Sequence, residues 1–450
     1  MSRPMARETA LDLLLSITKH HAYSQIAINE ALNAKSLSDK DKGLVTNLVY
    51  GVLQRKSILD FYLSSFVDKK RKMDDWVEML LLLSIYQNVF LDRIPDHAIV
   101  NEAVTIAKKR GHRGISGFVN GVLRRFLREG VPDVSKIEPE LKRLSIQYSH
   151  PQWLLKLWEK QWDRATAVKI AEADNLPPKV SIRVNRLKGT KQELSEQLAM
   201  EGIQTVSGNL SQDSLIVESG GNPVNTQAFK DGFFTVQDES SMLVADVVNP
   251  DETMLVLDAC AGPGGKTTHL AERMGNKGKI IALDLHPHKT QLIDHAAERL
   301  GLTNISTQAM DARSAQETFG DASFDRVLLD VPCSGLGVIR RKPEIKWSKS
   351  AEEIRGLFPI QKKILDEMAP LVKPGGRLVY STCTINKDEN EKQIADFLSN
   401  HPDYRVDPSF IERIPYLRDE FQSAGSTGMV QILPYMIHTD GFFICCLERI

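Results

Sequence analysis

The stretch Met254–Lys266, MLVLDACAGPGGK, restricts what this chain can fold into more than any other. Met254–Leu257 is a short apolar run with the length and composition of a buried strand. It ends on the carboxylate Asp258, and the chain then turns through Gly262, Pro263, Gly264 and Gly265. A helical pattern follows from Lys266 (KTTHLAERM). Strand, glycine-rich turn and helix are the plan of a nucleotide-type cofactor site. Glycine lets the backbone approach a ligand, and the helix N-terminus presents free N–H groups. A P-loop would need glycine where Cys260 stands, and a dinucleotide G-x-G-x-x-G would need it at Thr267. The remaining common cofactor is S-adenosylmethionine (SAM), which has no pyrophosphate; the alternative is a turn that binds nothing. The candidate cradle is Cys260, Ala261, Gly262, Pro263, Gly264, Gly265 and Lys266.

Beyond Lys266, strands and helices alternate. The strand Lys279–Leu283 ends at Asp284, placed for ribose hydroxyls, and Ile305–Gln308 leads to Asp311, placed for an adenine amino group. Arg326–Leu329 runs into Asp330-Val331-Pro332-Cys333, and Arg377–Tyr380 into Ser381-Thr382-Cys383. Helices are predicted at Lys289–Leu300, Glu352–Leu371 and Glu389–Leu398, and a final strand at Gly441–Leu447. Crossover helices predict a parallel, doubly wound sheet with Asp258, Asp284, Asp311, Asp330 and Cys383 along its C-terminal edge. An acid after a strand is also a common helix cap. It is their collection on one edge that points to a site.

The front of the chain has helical periodicity instead: Ala6–Thr18, Asp41–Leu53, Ile58–Phe66, Trp76–Val89, Ala98–Lys109 and Gly117–Leu127. Met79–Leu83 is apolar all round, as in a central bundle helix. Lys108, Lys109, Arg110, Arg113, Arg124 and Arg125 fall in a run with no acid between Glu102 and Glu129, suited to phosphates or simply to water. Lys69–Lys72 is a weaker patch that reads as a surface turn. Val180, Ile182 and Val184 alternate as in a half-buried strand, a helix follows (KQELSEQLAMEG), and Leu215–Val217 is another strand, giving a βαβ-like block. In it Arg183, Arg186 and Lys188 face RNA or water. The domains predicted are a helical bundle at 1–130, a helical linker at 131–174, a small α+β subdomain at 175–228 and an α/β domain at 229–450. The first 150 residues hold 23 Lys and Arg against 17 Asp and Glu, and this excess suggests an anionic partner, nucleic acid first.

Five cysteines without a C-x-x-C or a zinc spacing predict no metal. Their odd number, with Glu8 and Asp12 interrupting the first apolar run and no membrane-length segment, predicts a cytoplasmic protein. Cys445 and Cys446 lie inside FFICCL and read as small buried hydrophobes. Cys333 and Cys383 lie just past strand ends that should be neighbours, so both thiols should face the cofactor cleft. Arg340, Arg341, Lys342 and Lys346, close to Cys333 in sequence, could favour its thiolate and hold a nucleic-acid backbone. Methylating nitrogen or oxygen needs no thiolate. Carbon-5 of a pyrimidine does, because attack on carbon-6 makes carbon-5 nucleophilic. Asp330 is placed to bond the ring-nitrogen edge, and the base must lie outside a stack. Spacing alone does not rank the two thiols.

ARETALDLLLSI, LVTNLVYGVLQRKSILDFYL and AVTIAKK with GFVNGVLRRFLRE resemble the NusB RNA-binding domain over about the first 130 residues. CAGPGGKT, DVPCSGLGVIRRKPEIKW and YSTCTINKDENE resemble the RNA 5-methylcytosine methyltransferases of the Nol1/Nop2/Sun group. The two resemblances together cover essentially the whole chain. They imply a multidomain protein with an all-α NusB-like bundle, a small α+β subdomain and a Rossmann-like SAM-dependent methyltransferase, acting as a monomer on small-subunit (16S) ribosomal RNA. They imply that Cys383 is the nucleophile, that Cys333 assists product release, and that SAM lies against Cys260–Lys266, Asp284, Asp311 and Asp330. Gly262 stands where the group more often has Ala, a change expected only to loosen the turn. Two other classes compete: a non-catalytic RNA-binding assembly factor, and a nitrogen methyltransferase, whose Pro-Pro-aromatic motif is replaced here by Val331-Pro332-Cys333.

Overall fold

The computed structural model describes residues 5–20, 24–35, 37–68, 73–420 and 428–450. The basic run at 69–72 lies outside the described residues. The chain divides into two units, Met1–Pro177 with Ile339–Lys349, and Pro178–Val338 with Ser350–Ile450.

The first unit opens with helices Met5–His20, Ser24–Ala34, Asp39–Gln54, Lys56–Ser64, Asp75–Phe90, Asp96–Arg110 and Arg113–Glu129. Helix Asp75–Phe90 is the central one. It buries Met79 to Gln87 without a break, against Leu11, Leu14, Val45, Val49, Ile106 and Val119 of its neighbours. Helix Ser24–Ala34 is absent from the periodicity because Ile28 is its only fully buried apolar side chain, while Ile26 is exposed. Helices Glu140–Gln147, Gln152–Gln161 and Arg164–Asp174 fold with this unit and bury Trp158. The segment 131–174 is helical, as expected, and its helices pack within this unit.

Residues 339–349 also fold with the first unit. Ser24 donates its N–H (3.1 Å) and hydroxyl (2.8 Å) to Glu344. Arg340 Nε donates to the Ala173 carbonyl (2.9 Å), Lys346 Nζ to that of Gln54 (2.7 Å) and Trp347 Nε1 to that of Leu53 (2.7 Å). Arg340 and Lys346 are buried, so they act as internal ties and not as a grip on an RNA backbone. Burial pushes the Lys346 ammonium down to about 7, against the pull of Asp174. Arg341 is half-buried and Lys342 exposed. Sequence shows where charge is, whereas burial and carbonyl partners decide what it is used for.

The second unit begins with a four-stranded sheet of β1 (Val180–Val184), β2 (Gln204–Ser207), β3 (Ser214–Ser219) and β4 (Phe234–Val236), in the order β2-β3-β1-β4. Every adjacent pair is antiparallel, so β1 and β2 run parallel on either side of β3 and, with the helix between them, form a split βαβ unit. The fourth strand of the sheet comes from beyond residue 228, past the expected boundary. Thr190 and Glu193 form a capping box on the helix Lys191–Met200 between β1 and β2.

The large sheet contains β5 (Leu255–Asp258), β6 (Lys279–Asp284), β7 (Ile305–Ala309), β8 (Phe324–Asp330), β9 (Val372–Thr382), β10 (Tyr404–Val406), β11 (Met429–Ile432) and β12 (Phe442–Arg449). Its order is β10-β12-β9-β8-β5-β6-β7, with β11 also on β12. β5 to β9 are parallel, but β12 runs antiparallel to β9, β10 and β11. The sheet is thus mixed where an all-parallel one was expected. Alternate residues feed two cores: Val256, Val379 and Ile444 on one face, and Leu257, Leu378 and Phe443 on the other. Cys446 and Cys445 join these two cores respectively, as small hydrophobes. No helix among the described residues is long and apolar enough to cross a membrane.

Candidate active site

The strand order reverses between β5 and β8, and the candidate residues stand at the C-terminal ends of the strands around that point. Asp258 ends β5, Asp284 ends β6 and Asp330 ends β8, paired with Ser381 of β9. Cys383 follows β9 directly. Asp311 follows β7.

The turn after β5 is held from two sides. Gly262 N–H donates to Asp284 Oδ2 (3.1 Å), and Gly264, at φ +102°, caps the helix Gly265–Arg273 in a conformation that favours glycine. Asp284 also accepts from His286 N–H (3.0 Å) and lies 3.4 Å from Lys289 Nζ. A Cβ on Gly262 would stand 2.5 Å from Asp284 Oδ2 and 2.6 Å from Lys289 Cδ. Glycine here does more than loosen the turn: it makes room for Lys289 to fold over it.

Lys266 Nζ donates to Asp330 Oδ2 (2.6 Å), and Ser381 Oγ to Asp330 Oδ1 (2.9 Å). Burial works against the Lys266 ammonium, but Asp330 and Cys383 hold its affinity for the proton above the ordinary lysine value. The cradle therefore presents carboxylates, and the two lysines beside it are matched, Lys266 by Asp330 and Lys289 by Asp284. That donor set suits a ligand with cationic sulfonium and ammonium groups and does not suit a pyrophosphate, so the residues fit SAM. Asp311 is a partial exception. Its carboxylate takes a forked Arg313 guanidinium (2.5 and 2.9 Å) and the Arg313 N–H, so an adenine amino group would have to displace that arginine.

Asp258 is fully buried, accepts from Thr267 Oγ1 (2.7 Å), and leaves Oδ1 without a hydrogen-bond partner. Burial pushes its carboxyl up to about 7, and Asp330 adds to this against Thr267. In the unfolded chain an Asp titrates near about 4. Between those values the folded protein holds a proton that the unfolded chain has lost. The contribution of Asp258 to stability is therefore greatest below the lower value and falls by about 1.4 kcal/mol per pH unit until pH passes the upper one. Thermal unfolding of the SAM-free protein across that window should show this slope, and Asp258→Asn should flatten it.

The two thiols meet. Cys333 Sγ and Cys383 Sγ are 3.4 Å apart. The hydrogen bond to Cys383, burial, and the charges of Cys383, Glu389 and Asp330 all push the Cys333 thiol well up. The expectation that nearby basic residues favour its thiolate is overturned. The charges that act on Cys333 are those of Cys383, Glu389 and Asp330, and all of them hold its proton on. Cys260 is pushed up as well, by burial and then by Asp258, Asp330 and Asp284.

Beneath the thiols lies a residue that the motif reading passes over. Glu389 is fully buried and accepts from Ser334 N–H (2.8 Å), Ser334 Oγ (2.6 Å), Gln361 Nε2 (3.0 Å) and Asn386 Nδ2 (3.0 Å). Its place in YSTCTINKDENE gives no sign of this, since acids at helix starts are common. Arg183 was missed in the other direction. Placed by periodicity towards RNA or water, it is fully buried and grips Glu272 with two bonds (3.0 and 2.8 Å). Arg186 pairs with Asp213, and Lys188 Nζ donates to the Asp231 carbonyl (2.5 Å).

In the helical unit Lys108, Arg113 and Arg124 are exposed. Glu8 pairs with Lys109 (2.8 Å), and Asp12 with Arg110 (2.5 Å), acids that are near in space though far in sequence. Arg125 pairs with Glu129 (2.9 Å) and lies over the Phe66 ring. Surface pairs of this kind are worth about 1 kcal/mol or less and could yield to a phosphate. No cluster of three or more His, Cys, Asp or Glu suited to a metal ion occurs among the described residues.

Known proteins share this organisation. A family model described as 16S rRNA methyltransferase RsmB/F matches residues 245–448, a NusB family model matches 4–128, and an RsmF/B-like ferredoxin-like domain model matches 150–225. The chain is 47% identical over 449 residues to a probable ribosomal RNA small subunit methyltransferase B of Bacillus subtilis (strain 168), covering 100% of both. It is 38% identical over 447 residues to a protein of the same description from Synechocystis sp., covering 99% of both. Among solved structures it is similar to PH0851, with TM-score 0.82 and 28% identity over 100% of this chain and 99% of that one. It is also similar to a methyltransferase homolog protein from Pyrococcus horikoshii, with TM-score 0.59 and 26% identity over 70% of this chain and 100% of that one.

Proposed function

From its membership of the RsmB/F family of 16S rRNA methyltransferases, to which this chain belongs, we propose that it methylates carbon-5 of a cytosine in small-subunit (16S) ribosomal RNA, with SAM as donor. The observation that carries this reading is the pair of thiols 3.4 Å apart beside Lys266 and Asp330. Transfer to nitrogen or oxygen leaves such a pair without a task.

Bound SAM supplies an electrophilic methyl group; Cys260–Lys266, Asp284 and Asp330 hold it, with Asp311 at the adenine side once Arg313 moves away. Cys383 forms a bond from sulfur to carbon-6 of the cytosine, and the electron pair of the 5,6-double bond becomes available at carbon-5. A proton passed from the Asp330 carboxyl to the ring nitrogen neutralises the charge that this addition puts on the ring, and Lys266 stands beside the carboxylate left behind. Methylation of carbon-5 would leave the donor as its neutral thioether; the carbon-5 proton then passes to water, its C–H pair restores the double bond, and the carbon–sulfur pair returns to Cys383 as thiolate. Cys333 assists this release. The ranking of the thiols follows the family resemblance, and the charge of Cys383 acts on the Lys266 ammonium. The exposed Lys108, Arg113 and Arg124 of the helical unit, with Lys109, Arg110, Arg125, Arg341 and Lys342 beside or beyond them in sequence, supply phosphate contacts.

Bisulfite sequencing of 16S rRNA tests the proposal. A strain lacking this gene should lose protection at one cytosine and regain it on complementation. An unchanged pattern of protected cytosines would overturn it.

A further inference from the structure

We propose that Glu389 is a positioning residue that holds the Cys333 loop and the Cys383 loop at their working separation. This rests on the reading that both thiols act on the base. The carboxylate lies between three segments of the second unit. From the Cys333 loop it takes the N–H and hydroxyl of Ser334, the next residue along (2.8 and 2.6 Å). From the Cys383 loop it takes Asn386 Nδ2 (3.0 Å), and Thr384 Oγ1 lies 3.3 Å from Oε2 and 2.8 Å from Ser334 Oγ. From helix Phe358–Met368 it takes Gln361 Nε2 (3.0 Å), whose amide also donates to the Pro332 carbonyl (3.0 Å). The neighbouring Asn390 closes the same knot: its Oδ1 accepts from Thr382 Oγ1 (2.6 Å) and its Nδ2 donates to the Thr384 carbonyl (3.1 Å).

Each cysteine is thus flanked by residues tied to this carboxylate or its neighbour: Pro332 and Ser334 around Cys333, Thr382 and Thr384 around Cys383. The backbones of the two loops are joined at the Asp330–Ser381 pair, by Val331 N–H to the Ser381 carbonyl (3.2 Å) and by Gly337 N–H to the Cys383 carbonyl (3.0 Å). A fully buried carboxylate is costly unless donors surround it, and here the donors come from both loops. To those backbone bonds Glu389 adds a side-chain tie at the residues that flank the thiols. The cradle of Gly262, Asp284 and Lys266 is built from other strand ends, so SAM binding should be insensitive to Glu389.

The test is steady-state methylation of 16S rRNA by the full-length protein. Glu389→Gln keeps the shape but turns an amide NH2 towards donors; kcat should fall about 10²-fold, as for a displaced reacting group. KM for SAM should stay within about twofold, the mark of an interaction made only in the reacting complex. Ser334→Ala should lower kcat by about tenfold, and the double variant should be no slower than Glu389→Gln alone, because coupled residues are not additive. Thr384→Val, which leaves the Ser334, Asn386 and Gln361 donors in place, should show the same division between kcat and KM at smaller size, and serves if Glu389→Gln does not fold. An unchanged kcat in Glu389→Gln, multiplying losses in the double variant, or a parallel loss of SAM affinity would each overturn the proposal. Cys383→Ala separates the two levels. Activity retained in Cys383→Ala would sink the thiol reading itself, whereas an inactive Cys383→Ala beside a fully active Glu389→Gln would sink only the role of Glu389.

Discussion

Cys383→Ala is expected to reduce methyl transfer by roughly 10⁴- to 10⁶-fold, the scale seen when a covalent nucleophile is removed. That corresponds to about 5–8 kcal/mol of transition-state stabilisation. SAM binding should persist, because Asp284, Gly262 and Lys266 keep their contacts without the thiol. The fold should persist too, since the cysteine is a half-buried residue beyond the end of β9. Cys333→Ala should fail differently. The sulfur–carbon bond still forms but release is impaired, so protein and RNA should run as one band on a denaturing gel. Radiolabelled methyl transfer for the first variant and the gel for the second settle both roles. A covalent band with Cys383→Ala and none with Cys333→Ala would exchange the assignments.

Arg183→Ala is expected to cost about 3–5 kcal/mol of stability, the usual result of stripping one partner from a buried ion pair. Arg183 is fully buried in β1 and bonds both Glu272 oxygens, Gln237, Thr268 Oγ1 (3.0 Å) and the Gly265 carbonyl (2.6 Å). It ties the small sheet to the first turn of the cofactor helix. Burial raises the Glu272 carboxyl and Arg183 opposes that rise, so in the variant burial acts with its main opponent removed. For a unit of this size the melting temperature should drop by about 10 °C. Arg183→Met with Glu272→Leu should recover most of the loss, because a buried pair replaced by apolar groups of similar volume is close to neutral. A melting temperature unchanged in Arg183→Ala would show that the pair contributes nothing.

Much of the architecture is legible in the residues. β5, β6, β7 and β8 fall within three residues of their predicted limits; β5, β6 and β8 are short apolar runs between turn signals, whereas β7 (ISTQA) is mostly polar. The central helix Asp75–Phe90 is read from its unbroken apolar core, and Asp258, Asp284, Asp330 and Cys383 are read to strand ends. Less legible are β10 and β11, which are short and take their shape from pairing with β12. The direction of β12 was also hidden, since an apolar run has the same pattern parallel or antiparallel. The two cysteines are legible by position, but their 3.4 Å approach is not, because it joins residues fifty positions apart.

Having a charged group and being able to use it are different properties of a chain. The stretch Met254–Lys266 and the acids at the strand ends are determined by the sequence, because strand periodicity and the rule of right-handed crossovers place them on one edge whatever the details of packing. Only the tertiary structure decides which charges work. It buries Arg183 against Glu272 and Arg340 against a carbonyl, pairs Lys109 and Arg110 with Glu8 and Asp12, and sets Glu389 under the two thiols. Burial and long-range partners set the energy of a charge, and neither is written in its local sequence.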